Sequence, residues 1–173
     1  MINSGRRGKS CHVTETVPTD HDWMQRALSL ARQAGQAGEV PVGAVVVRDG
    51  QLLGESGNRV VNANDPSGHA EVLALRAASS CVGDCRLDGA TLYVTLEPCL
   101  MCCGALLNAR IARLVFGARE PRTGAVISAF ETLMPAARGQ HHVAIDEGVL
   151  AAESAALLSE FFADLRDQQA DHG

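Results

Sequence analysis

Apolar residues begin to recur with helical spacing at Trp23, and Trp23, Ala27, Leu28, Leu30, Ala31 and Ala34 share one stripe of a helix predicted to start near Asp22. Asp20 or Asp22 is expected to cap it, with Gly35 and Gly38 ending it. Residues 40–47 are rich in β-branched side chains and are followed by Asp49-Gly50 and a second apolar run. Asp-Gly supplies the positive φ angles of a tight turn, so this stretch predicts a β-hairpin. Residues 57–67 have loop chemistry and lead into a helix near Gly68, carried by Glu71, Val72, Leu73, Leu75 and Ala78. A strand over 90–95, a small-residue helix over 99–109 and a strand over 113–117 follow. Residues 123–135 read as helix or as irregular chain, and 142–145 as a short edge strand. After Gly148, the spacing of Val149, Leu150, Ala152, Ala156, Leu157, Phe161, Phe162 and Leu165 predicts a long terminal helix. Residues 1–20 are polar without periodicity and are expected to form a disordered tail.

Strands alternating with helices behind a front hairpin imply an α/β fold layered around a mixed central sheet, and residues 21–168 are expected to form a single domain. With 173 residues, 46% hydrophobic and 20% charged, the chain is neither collagen-like nor charge-rich and disordered. A domain of this size folds without a metal or a disulfide, so any metal it holds is expected to be functional. Membrane spans need about 20 consecutive apolar residues, and no such run occurs. Arg6, Arg7 and Lys9 precede no apolar stretch of the kind a secretory signal carries, so the expected location is the cytoplasm. In a reducing compartment the six cysteines point to metal binding or catalysis rather than to a disulfide framework.

Three of those cysteines, Cys99, Cys102 and Cys103, fall within five residues, and Cys99-Leu-Met-Cys102 has the C-x-x-C spacing that puts two sulfurs on one ion. Upstream, Gly68-His69-Ala70-Glu71 offers an imidazole two positions from a carboxylate. An imidazole and two thiolates suit zinc, and three protein ligands leave a fourth position open for water, as in catalytic rather than structural sites. Both segments fall where a strand or loop turns into a helix, so the ligands are expected at two helix N-termini, where the dipole favours thiolates. Residues two apart on a helix point to different sides. Glu71 is therefore expected beside the ion rather than on it, as general base and then general acid. A lone C-x-x-C also fits a redox motif or part of a structural site, whose fourth ligand would be Cys103, Cys81, Cys85 or His141. Cys103, adjacent to Cys102, reads as a small core residue, and Cys11, Cys81 and Cys85 as free thiols.

The H-A-E and P-C-x-x-C pair resembles the zinc-dependent cytidine deaminase-like superfamily. Within it, the chain is similar to the bacterial tRNA-specific adenosine deaminases. The resemblance is carried by Glu39-Val-Pro-Val-Gly-Ala44, Gly57-Asn-Arg59, Asp65-Pro66, the run from Thr91 to Pro98, Arg110-Ile-Ala-Arg113, Phe116-Gly-Ala118 and Phe161-Phe162, and covers residues 22–166. It implies a three-layer α/β/α sandwich and a homodimer with active sites near the interface. It also implies one Zn2+ per subunit on His69, Cys99 and Cys102, with Glu71 as the catalytic proton shuttle. The implied reaction converts adenosine to inosine at wobble position 34 of a tRNA anticodon stem-loop. Asn58, which by itself reads as a turn residue, would hydrogen-bond the flipped adenine. The chain departs from the family pattern at Glu120, where a shorter Asp is usual, in the run from Ala125 to Ala129, at Gln140-His141-His142, and at Gly68, where Ala is usual.

Net charge is −5, which disfavours non-specific nucleic-acid binding. Between Ala105 and Ala125, however, Arg110, Arg113, Arg119 and Arg122 face one acid, Glu120, so RNA contacts are expected on the side of Arg119, Glu120 and Arg122, with bases splayed into pockets. The terminal helix is acidic, with Arg166 against Glu153, Glu160, Asp164 and Asp167, and offers no basic arm. Two competing functions are a deaminase of a free nucleobase or nucleoside, such as guanine or cytosine, and a zinc-stabilised binding domain without catalysis. The second has no use for a carboxylate beside an open metal position.

Overall fold

The computed structural model describes residues 17–133 and 141–170. Most of the expected tail, with Cys11, lies outside the described residues, as do Pro135 and Gln140. In chain order the elements are α1 (Asp20–Gln36), β1 (Gly43–Arg48), β2 (Gln51–Gly57), α2 (Ala70–Val82), β3 (Thr91–Leu96), α3 (Leu100–Ala109), β4 (Arg113–Ala118), β5 (Ala144–Glu147) and α4 (Ala151–Ala170). They build a mixed sheet of order β2-β1-β3-β4-β5, in which β1 is antiparallel to β2 and β3, and β3, β4 and β5 run parallel. Asp49 and Gly50, both at positive φ (54° and 72°), close the β1–β2 hairpin as the Asp-Gly pair predicts.

Alternation along the strands divides the core in two. Val45, Val47, Tyr93 and Val115 meet Met24 and Ala27 of α1 on one face, together with Val149 and Leu150 before α4. Ala44, Val46, Leu92, Val94, Leu114 and Phe116 meet α2 and α3 on the other. Since side chains alternate with period two, one sheet serves both helical layers, and the result is a three-layer α/β/α sandwich. α2 lies so close to β2 that a Cβ on Gly54 would stand 2.4 Å from the Ala78 amide nitrogen, so only glycine fits there.

Four local expectations change. α1 begins at Asp20, and its cap is Thr19, not Asp20 or Asp22. The Thr19 hydroxyl accepts from the Asp22 amide at 3.3 Å, while the Asp22 carboxylate accepts from the Thr19 amide at 2.8 Å, so Asp22 completes a reciprocal capping box from the third helical position. Gly35 lies inside α1 rather than ending it. The edge strand sits two residues later than its apolar run suggested, whereas residues 123–133 take the irregular form of the two readings open for that segment.

Candidate active site

β3 leads directly into the site. After Leu96 the chain turns through Glu97 and Pro98, and Cys99 caps α3 with extended backbone (φ −79°, ψ 175°), which places Cys102 in the first helical turn. His69 stands in the same position at α2 (φ −72°, ψ 146°), with Glu71 in that helix's first turn. Neither cap uses its side chain on its own helix, so both side chains are free to point elsewhere.

They point at each other. His69 Nδ1 lies 3.6 Å from Cys99 Sγ and 3.5 Å from Cys102 Sγ, and the two sulfurs are 3.6 Å apart. Zinc–sulfur bonds of about 2.3 Å and a zinc–nitrogen bond of about 2.05 Å at tetrahedral angles require edges of about 3.8 Å between sulfurs and about 3.6 Å from sulfur to nitrogen. The triangle fits those lengths. Among the described residues no fourth Cys, His, Asp or Glu joins the cluster. Cys103 is buried with its sulfur toward the Pro98 and Ala125 carbonyls, Cys81 and Cys85 are exposed, and the His141 ring pairs with the Ile111 carbonyl at 2.7 Å. A structural site closed by one of these four is thereby excluded.

The protonation states follow from this packing. The hydrogen bond with Cys102, aided by His69, pulls the Cys99 thiol down to about 3. Cys102 is pushed up by the same bond, then by burial and by Glu71. The hydrogen bond to Cys99 raises His69. Burial raises Glu71, which is 4% exposed. The arrangement thus favours a thiolate at Cys99, with Cys102 and His69 holding the protons it shares with them, beside an enclosed carboxyl whose own proton affinity is raised.

Above the triangle lies a cavity of about 330 Å³, lined by His69, Glu71 and Cys99 at its base, by Asn58, Val60 and Val61 on one wall, and by Glu120 and Thr123 on the other. Asn58 Oδ1 accepts from the Ala70 amide at 2.8 Å, and its Nδ2 donates to the Val40 carbonyl at 3.1 Å. The residue thereby supplies the N-terminal hydrogen bond of α2 that His69 does not make. Beside the cavity, a groove of about 840 Å³ runs along α4 and is lined by Arg119, Glu120, Arg122, Phe162 and Arg166 among others. Arg119 is held by Glu147 through two bonds of 2.7 Å, while the Glu120 carboxylate accepts from the Arg122 amide at 2.9 Å.

Two buried carboxylates had no role in the sequence reading. Glu39, 1% exposed, accepts from the amides of Val60, Val61 and Asn62 at 2.8–3.2 Å. Glu97 does the same for the opposite wall. Both stand in stretches that carry the family resemblance, the one signal that could have drawn notice to them.

Residues 19–166 match the MafB19-like deaminase family. The chain is 44% identical to the tRNA-specific adenosine deaminase of Haemophilus influenzae over 151 residues, covering 87% of each chain, and 39% identical to that of Bacillus subtilis over 150 residues, covering 87% of this chain and 92% of the relative. Among solved structures, a tRNA:A34 deaminase studied for A-to-I editing at the wobble position superposes with a TM-score of 0.74 at 45% identity, covering 79% of this chain and 98% of the other. A guanine deaminase from Nitrosomonas europaea superposes at 0.70 with 28% identity, covering 84% and 85%.

Proposed function

The chain belongs to the tRNA-specific adenosine deaminases within the MafB19-like deaminase family, and from that premise we propose that it hydrolyses adenosine to inosine at position 34 of a tRNA anticodon stem-loop. The observation that carries the reading is the His69–Cys99–Cys102 triangle with three protein ligands, a cavity over its remaining side and the buried Glu71 beside it. Identity to the adenosine deaminase structure is 45% over 79% of this chain, against 28% over 84% for the Nitrosomonas europaea guanine deaminase and 40% over 59% for that of Bacillus subtilis, so the adenosine deaminase is matched at higher identity than either.

His69, Cys99 and Cys102 would hold one zinc ion per subunit. Zinc bound there supplies a Lewis acid that makes water nucleophilic near neutral pH. Glu71 takes a proton from the attacking water, passes it to the adenine ring nitrogen, and then delivers a proton to the departing amino group, so that adenine and water become hypoxanthine and ammonia. Enclosure that raises its affinity for a proton suits a group that must accept one and give it back. Asn58 commits one amide N–H to Val40 and keeps a second for the base. Glu120, which lines both cavity and groove, and Arg119 and Arg122, which line the groove, meet the nucleotides beside it.

Leu100 and Met101, which follow the Cys99 cap in the first turn of α3, and Val61, which lines the cavity, are exposed apolar side chains, in keeping with a homodimer in which the sites lie near the interface. No helix among the described residues is long and apolar enough to cross a membrane. A cytoplasmic location is proposed with the substrate, and residues 21–168 as the catalytic domain.

The test is direct. The zinc-loaded protein is incubated with an anticodon stem-loop bearing a wobble adenosine and, separately, with guanine, cytosine and adenosine. Inosine in the stem-loop is expected. Ammonia released from free bases alone would replace this reading with the nucleobase deaminase.

A further inference from the structure

The walls of the cavity have little regular structure, and one of them is folded around a single side chain. Glu97, 3% exposed, lies between the end of β3 and the Pro98-Cys99 turn. Its Oε1 accepts from the amides of Val126, Ile127 and Ser128 at 3.2, 2.8 and 2.9 Å. Its Oε2 accepts from the Glu120 amide at 3.0 Å and from the Ser128 hydroxyl. The same loop is stitched to the cysteine turn by the Ala125 amide, which donates to the Pro98 carbonyl at 2.8 Å, and by a bridge between Gly124 and Cys99. A Cβ on Gly124 would stand 2.5 Å from Glu97 Oε2, so the loop reaches the carboxylate only with glycine there.

This loop brings Glu120 and Thr123 to the cavity and Arg119 and Arg122 to the groove. We propose that Glu97 is a positioning residue whose carboxylate fixes the 119–130 loop against the cysteine turn and thereby sets the wall that meets the nucleotides beside the target base. The consequence for substrate rests on the RNA deaminase reading; the clamp itself does not. Only an acceptor on both oxygens serves here. An amide in place of the carboxylate would turn N–H groups toward backbone donors and leave buried N–H groups unpaired. A wall that meets the substrate before and during the reaction alike acts on KM and leaves kcat unchanged.

The experiment compares the full-length, zinc-loaded protein with Glu97→Gln, Glu97→Asp and the milder Ser128→Ala. For Glu97→Gln, the KM for the wobble-adenosine stem-loop is expected to rise about tenfold, as one or two unpaired buried donors imply, with kcat and zinc content unchanged. Ser128→Ala should show the same split at about threefold, having lost one donor, and Glu97→Asp should recover part of the loss because it keeps the charge. Amide exchange at residues 120 and 126–128 should accelerate while that of α1 stays as it was. Unchanged KM, or a fall in kcat or zinc with KM intact, would overturn the proposal. Should Glu97→Gln not fold, Ser128→Ala decides by the same split. If the parent protein leaves the stem-loop unreacted, the RNA reading fails, and exchange still judges the clamp: retained protection at 126–128 in the variants sinks it, and lost protection upholds it.

Discussion

At Glu71, burial and charge pull in opposite directions: enclosure raises the carboxyl's proton affinity, while neighbouring His69 draws it back. The expected separation of roles can be read in two variants. Glu71→Gln keeps the shape of the side chain but cannot take up the water's proton, so turnover should fall by about two to four powers of ten while zinc stays stoichiometric. Cys102→Ala should instead lose zinc. Metal analysis beside single-turnover kinetics checks both, and stoichiometric zinc in Cys102→Ala would remove that residue from the ligand set. His69, Glu71, Cys99 and Cys102 were legible in the sequence because each pair lies on one helix start, where spacing fixes direction. Glu39 and Glu97 were not. Their partners are backbone amides 21 to 31 residues away, and a backbone amide leaves no trace in the identity of the residue that owns it. Asn58 shows the same limit: the reading that gave it a base to bind did not foresee its bond to the Ala70 amide.

Among the elements, the strands and helices that bury one side against the sheet could be read from periodicity alone, because burial writes that period into the sequence. What periodicity missed was how α1 is fastened. Asp20, first residue of the helix, accepts two bonds from the Arg113 guanidinium at 2.8 and 2.7 Å and one from the Tyr93 hydroxyl at 2.7 Å, tying the helix start to β3 and β4. Arg113 lies 93 residues on in the chain, beyond any local pattern. The guanidinium, by its hydrogen bonds first, holds the Asp20 carboxyl below its ordinary 3.8. A lowered pKa in the folded state contributes stability above the ordinary value, and that contribution disappears as pH falls through the lowered one. Asp20→Asn should therefore unfold at lower urea than the parent near neutral pH. With the two side chains 32% and 38% exposed, the difference should be no more than about 1 kcal/mol. The gap should close as the pH is taken below 3.8. A gap that stays constant with pH would show that Asp20 acts through packing instead of charge.

For the whole molecule the question is how a chain of net charge −5 accepts a polyanion. The three layers separate the charges: α4 carries Glu153, Glu160, Asp164 and Asp167, whereas the arginines cluster where β4 runs out into the 119–130 loop. Those arginines are not equivalent. Arg119 is already neutralised by Glu147, and Arg122 makes no ion pair with another described residue. Binding of the stem-loop to the inactive Glu71→Gln protein, followed across salt concentrations, should expose the difference. Each phosphate contact on single-stranded nucleic acid adds about 0.7 to the slope of log affinity against log salt, so Arg122→Ala should lower the slope by about that much and weaken binding most at low salt. Glu147→Gln should do the opposite, because it releases the Arg119 guanidinium toward the groove and removes a negative charge from its rim. If Arg122→Ala leaves the slope alone, the RNA does not cross this face. If Glu147→Gln leaves it alone while Arg122→Ala does not, Arg119 belongs to the scaffold, and its pairing with β5 serves the sheet rather than the substrate.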